Sequence, residues 1–275
     1  MDDSKVANQS HEDFPYSDFW TVVAIAAVAA ICGDVIHEAI GHGGACLATG
    51  GHPLALSTVH FECEGEGKLV AAGGTLANLA AGLAFWAAGR AARHSTRLRY
   101  FFWLSMTMNL YAGGGYFLFS GIGNIGDWAA VIDGYQPAVL YRVLLTMLGV
   151  ITYLGFMWIS LREMQPFLGR DRDLRLRRAR GLTLVPYFTG GILACIAGAL
   201  NPVGPILIVI SAAASSFGGA SGLIWMDEWL KGSLIRMSEF QMPPLKRSRA
   251  WLIGAAVLAV AFIACLGPGI KFHPR

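Results

Sequence analysis

The chain has 275 residues, 55% hydrophobic and only 14% charged, with a mean hydropathy of +0.50. A soluble domain carries about a quarter charged residues, so an ordinary soluble globule is excluded and an all-α polytopic membrane protein, with the lipid bilayer as partner, is indicated. The net charge of +3 is small, and no nucleic-acid partner is expected.

In chain order, residues 1–18 are polar and acidic. They lack the basic start of a cleavable signal, so they read as a cytoplasmic tail before a retained first span. About 20 apolar residues cross the roughly 30 Å of bilayer hydrocarbon. Seven such stretches follow, at residues 19–41, 69–88, 100–119, 138–161, 182–200, 203–226 and 251–268. The fifth and sixth meet at "NPVGP", residues 201–205, where two prolines and a glycine end one helix and start the next. A single kinked re-entrant element is the alternative there. Residues 211–222, "SAAASSFGGASG", carry the small side chains that let membrane helices approach closely. Residues 19–136 read as a metal-site core of three transmembrane helices plus outer loops, and residues 137–275 as an accessory four-helix region with basic cytoplasmic loops.

Most of the 21 Lys and Arg fall in three of the loops. One holds Arg90, Arg93, Arg97 and Arg99; the others are residues 162–180 and 231–249. With seven spans all three lie on one side, which the positive-inside rule makes cytoplasmic. The expected location is a bacterial cytoplasmic (inner) membrane, with the N-terminus cytoplasmic and the C-terminus outside. The loop at residues 43–68, with Glu62, Glu64 and Glu66 against Lys68, then faces out. Of the five cysteines, Cys32, Cys195 and Cys265 lie in apolar runs and read as packing residues. Cys46 and Cys63 flank the outer loop and would pair if it faces an oxidising compartment.

The chemistry lies in residues 35–44, "VIHEAIGHGG". Ionisable groups at membrane depth are costly and face a protein interior or a wet cavity. The first span carries Asp34, His37, Glu38 and His42 at its outer end. At about 100° per residue they occupy one stripe roughly 140° wide. In H-E-x-x-H two histidines four apart share a zinc ion, and the glutamate beside the first is the general base. Here the histidines are five apart, about 140° and 7.5 Å of rise on a straight helix. Three resolutions are open. A π-bulge restores alignment; the helix ends near Gly41 and glycines let His42 swing back; or Glu38 and His42, a true i, i+4 pair, are the ligands. Zinc needs a third protein ligand. Asp127 in "SGIGNIGDW", residues 120–128, is the first candidate, with Asn124 turning inward beside it. His60 is the reserve, and His52, beside Pro53, ranks below it.

These elements together resemble the site-2 protease family of intramembrane zinc metalloproteases. "HEAIGH" resembles H-E-x-G-H with one residue inserted. "AAGGTLANL", residues 71–79, resembles A-G-P-x-x-N, with Gly74 and Asn78 in register and Thr75 where proline is usual. "GNIGDW" resembles the segment holding the third zinc ligand, and residues 50–65 could form the family's strand hairpin, which can pair with extended substrate. The resemblance covers residues 22–128. It implies that His37, His42 and Asp127 ligate Zn2+, that Glu38 is the catalytic general base, and that Asn78 sits near substrate or behind a ligand. From helical geometry, Asp34 is expected to orient a ligand histidine. The charge pattern puts the site near the outer surface, whereas the family's core opens toward the cytosol.

The expected function is therefore a membrane-embedded zinc-dependent hydrolase, most simply a site-2-protease-like peptidase acting on a membrane-associated substrate. Two alternatives use the same residues. One is a non-proteolytic metal hydrolase of a lipid or small amide. The other is a non-enzymatic metal or proton transporter in which Asp34, Glu38, His42 and Arg142 line a path.

Overall fold

A computed structural model describes residues 16–65, 67–202, 204, 212–213, 216–232 and 238–272. Residues 1–15 of the tail, Glu66, residues 203, 205–211, 214 and 215 of the expected sixth span, residues 233–237 of the expected basic loop, and residues 273–275 lie outside them.

The first helix, α1 (Phe19–Val35), starts at Asp18, whose carboxylate accepts from the Thr21 amide at 2.8 Å and its hydroxyl at 2.7 Å. This is an N-cap that satisfies otherwise orphaned donors. The helix runs unbroken into a π-helical segment, Ile36–Gly43, and a short α2, Gly44–Ala48. Strands β1 (His52–Leu56) and β2 (Phe61–Glu64) form the expected hairpin, pairing antiparallel from His52 opposite Glu64 to Leu56 opposite Phe61. Helices α3 (Lys68–Ala91), α4 (Thr96–Gly123), α5 (Asp127–Ile132), α6 (Ala138–Met164) and α7 (Arg172–Gly198) follow. Then come α8 (Gly222–Gly232) and α9 (Arg249–Ala261), which continues as a π segment, Phe262–Leu266.

Among the described residues, five helical stretches are long and apolar enough to cross a membrane: Phe19–Ala48, Lys68–Ala91, Ala138–Phe167, Asp173–Gly198 and Arg249–Leu266. The third expected span, residues 100–119, is helical within the 28-residue α4 but is not among the five. Its position explains this. No residue between Tyr100 and Gly121 is exposed, so α4 is the central post of the bundle and tolerates buried Ser105, Thr107 and Asn109. The core packs on its Tyr100, Trp103, Leu104, Leu110 and Tyr111. Apolar side chains face outward on the peripheral helices instead, for example Ile151 at 67% and Ile253 at 66% exposure. A surface of this kind is compatible with lipid contact.

Helices α1 and α9 run side by side in the same direction. At one end the Asp18 amide donates to the Leu245 carbonyl at 2.8 Å and the Ser248 amide to Thr21 Oγ1 at 3.1 Å. At the other end the Thr58 amide donates to the Leu266 carbonyl at 3.1 Å. The chain then forms β3 (Ile270–Lys271), which pairs antiparallel with β1 and completes a sheet of order β2-β1-β3. A two-residue strand shows no period-2 alternation, so sequence pattern does not announce it.

Cys46 on α2 and Cys63 on β2 form a disulfide, both nearly fully buried, which ties the hairpin to the end of the first helix. Alkylation of the denatured, unreduced protein is expected to label three cysteines, Cys32, Cys195 and Cys265, and all five after reduction. Five labels without reductant, read by intact-mass spectrometry, would show the pair to be open.

Candidate metal centre

Of the three resolutions of the five-residue spacing, the chain adopts the π segment. Over Ile36–Gly43 each turn carries an extra residue, so positions i and i+5 align. The α form resumes at Gly44, whose amide donates to the Ile40 and Gly41 carbonyls. His37 and His42 thereby project to one side, 7% and 9% exposed, with their rings edge to face at 4.8 Å.

Helix α3 meets this segment backbone to backbone. A Cβ on Gly41 would lie 2.5 Å from Gly74 Cα, and one on Gly73 would lie 2.4 Å from the Gly41 carbonyl oxygen. Only glycine permits such an approach. It brings one face of α3, with Val70, Gly74 and Asn78 four residues apart, against the imidazoles. His42 Nδ1 donates to the Val70 carbonyl at 2.7 Å, and His37 Nδ1 donates to Asn78 Oδ1 at 2.6 Å. The Asn78 amide orientation follows from its surroundings. Its NH2 group donates to Asn109 Oδ1 at 2.8 Å and to the Gly33 carbonyl at 3.2 Å, which leaves the oxygen for His37.

Both Nδ1 atoms face oxygens that only accept, so each neutral ring is assigned the tautomer with a bare Nε2. The two Nε2 atoms are 3.2 Å apart. Asp127 Oδ2 lies 3.2 Å from that of His37 and 3.5 Å from that of His42. It is buried without a hydrogen-bond partner. Three lone-pair-bearing atoms converge with no donor among them, and such a cluster is stable only around a positive charge. His37, His42 and Asp127 form a group that could hold a metal ion. Gly74 leaves the space: a Cβ there would sit 2.5 Å from His42 Nε2 and 2.6 Å from His37 Nε2. The Tyr116 ring stacks on His37 at 4.7 Å.

Asp127 arrives through a sharp reversal after α4. Asn124 adopts the left-handed conformation, φ 53°, with its amide donating to the Ser120 carbonyl at 2.9 Å, and Gly126 has φ 82°. Asp127 is the first residue of α5, and its neighbour Trp128 packs on Phe117 at 4.8 Å. Asn124 is exposed, so the expectation that its side chain turns inward is corrected: it contributes a backbone turn. His60 is likewise not brought in. It is exposed at the hairpin tip, where the backbone bonds to Ser57 (amide to Oγ at 3.1 Å) fix its place. His52 is exposed on β1. Asp34 is not what holds the ligand rings, since Asn78 and Val70 occupy both Nδ1 atoms. Arg142 caps the end of α4, donating to the Gly121 and Ile122 carbonyls at 3.2 and 2.7 Å. This use of a cation at a helix C-terminus explains its charge.

Glu38, 8% exposed, and Asp34 each have a buried carboxylate oxygen without a hydrogen-bond partner. Both line a cavity of about 130 Å³ together with His37, Asn78 and Tyr116. Its lining also includes apolar Ala30, Met108, Leu193 and Phe262, and Thr58 and Val59 from the turn between β1 and β2. Sequence pattern did not disclose the Val70 carbonyl, the Asn109 relay or Tyr116. The four-residue spacing of Val70, Gly74 and Asn78 was the available signal for a shared helix face.

Gly74→Ala is expected to abolish stoichiometric metal binding, while Gly44→Ala, whose Cβ meets nothing within 4 Å, leaves it intact. Asn78→Ala should weaken metal affinity by about 10–100-fold through loss of the His37 orientation. Elemental analysis and competition with a chelating dye measure both. No protein-family model, curated protein or solved structure matches this chain.

Proposed function

We propose that this protein is a membrane-embedded zinc-dependent hydrolase that cuts an amide bond in a membrane-associated peptide, in the manner of the site-2 protease family its motifs resemble. The observation that carries the reading is the triangle of Nε2, Nε2 and Oδ2 atoms, with edges of 3.2, 3.2 and 3.5 Å. Ligand atoms about 2.0–2.1 Å from a tetrahedral zinc are roughly 3.3 Å apart. Three N/O protein ligands with a fourth position left open is the pattern of catalytic rather than structural zinc. When bound, zinc supplies an acidified water and a Lewis acid for the scissile carbonyl.

The chain's own residues do the rest. Glu38 follows His37 directly, is buried, and keeps a carboxylate oxygen without a partner. It takes the proton of the attacking water and hands it to the leaving amine, as a general base that becomes a general acid. Asn78 and the Val70 carbonyl hold the imidazoles in place. The apolar part of the cavity receives an apolar side chain of the substrate. Strand β2, whose sheet partner is β1 and whose Phe61 ring lies against the π segment near Gly43, presents an edge to extended substrate. The buried disulfide favours an oxidising compartment for this end of the molecule, and the arginine-rich loops at the opposite end favour the cytoplasm there.

Purified wild type is expected to hold one zinc per chain, and His37→Ala, His42→Ala and Asp127→Ala to lose it. Glu38→Gln should keep the metal and lose about 10²–10⁴-fold in turnover, assayed on membrane-tethered peptides in proteoliposomes with lipid amides as a parallel substrate. Wild-type turnover in Glu38→Gln would remove Glu38 from the mechanism, and no retained metal in wild type would end the zinc reading.

A further inference from the structure

A second cavity lies at the other end of the bundle. Val70, at the metal centre, and Arg90 are 20 residues apart on α3, or about 30 Å, one hydrocarbon thickness. This cavity, about 430 Å³, is lined by Arg90, Arg93, Arg99 and Arg162, with Glu163 as the only acid among the described residues of its wall. Among the described residues none of the four guanidinium groups pairs with a carboxylate. Glu163 instead accepts from Trp86 Nε1 at 3.0 Å. Aromatic faces hold three of the arginines: Arg90 lies over Trp86 at 5.7 Å, Arg99 over Phe240 at 4.9 Å and Arg162 over Trp158 at 5.6 Å. The rim is braced by the Met242 amide donating to the Pro166 carbonyl at 2.7 Å and the Gly169 amide donating to Gln241 Oε1 at 3.0 Å.

Four guanidinium groups face the one Glu163 carboxylate, which acts on Arg99, and the remaining excess of positive charge favours a further anion among them. Planar, pre-positioned guanidinium forks match phosphate oxygens better than any other side chain. We propose that this cavity binds the phosphate of an anionic phospholipid. Two features select a lipid over a soluble phosphate. Trp86 and Trp158 mark the interfacial layer where headgroups lie. Below them, exposed Leu83 on α3 and Leu154 on α6 offer apolar surface for acyl chains. A basic pocket between helices on the cytoplasmic side is suited to such a headgroup.

The test uses full-length delipidated protein in neutral detergent, titrated with phosphatidylglycerol, phosphatidylcholine or inorganic phosphate. Thermal midpoint and lipid retention by native mass spectrometry are the readouts. Phosphatidylglycerol is expected to bind and raise the midpoint, and the other two are not. An Arg99→Gln/Arg162→Gln double variant should lose about tenfold or more in affinity. Arg97→Gln/Arg170→Gln, which removes the same charge outside the cavity, should bind as wild type does. Should the pocket double variant not fold, Arg162→Gln alone, at an exposed position, carries the test with a smaller loss. Equal losses in both double variants would reduce the effect to diffuse surface charge. A phosphate response matching that of phosphatidylglycerol would make it a soluble-anion site, and no response to phosphatidylglycerol would overturn the proposal.

Discussion

The contact on which the candidate site depends is the backbone-to-backbone approach of the π segment and α3 at Gly41, Gly73 and Gly74. Three consequences follow from that one proximity. The Val70 carbonyl and the Asn78 amide come within hydrogen-bonding reach of the two imidazoles and set their tautomers. The space beside Gly74 stays open where both Nε2 atoms point. The extra residue in the π turn is accommodated because the facing helix offers no side chain to clash with it. A π segment is uncommon and forms where surrounding packing holds it; here the packing partner is bare backbone.

The buried polar chain behind the site extends this logic into the bundle. Asn78 donates to Asn109, and Asn109 Nδ2 donates to the Ser105 carbonyl at 2.8 Å. Every step lies on α3 or on central α4, inside the bundle, where an unpaired polar group would be costly. The same central placement lets α4 carry buried polar side chains while no residue from Tyr100 to Gly121 is exposed. Around it the peripheral helices carry the apolar exterior, and the two ends of the bundle differ in kind. One is tied by a disulfide and a three-stranded sheet over the candidate metal centre; the other is ringed by arginines stacked on tryptophan and phenylalanine.

What the sequence determined is the helical, apolar character of the chain and the residue types of the site; the hairpin after the first helix is expected only through the family resemblance. Hydropathy and local spacing report the first two because they depend on neighbours within a turn. It also determined that two histidines five apart require a distortion, though three distortions satisfied the same spacing. Tertiary structure chose among them, because only the approach of α3 at its glycines decides which backbone is tolerated. Tertiary structure also decided that Asp127 rather than His60 joins the histidines: a left-handed Asn124 and a positive-φ Gly126 turn one inward, while a hairpin tip holds the other in solvent. The third strand, the Val70 acceptor and the arginine cavity join residues far apart in the chain, and no local pattern encodes contacts that close only when the bundle assembles.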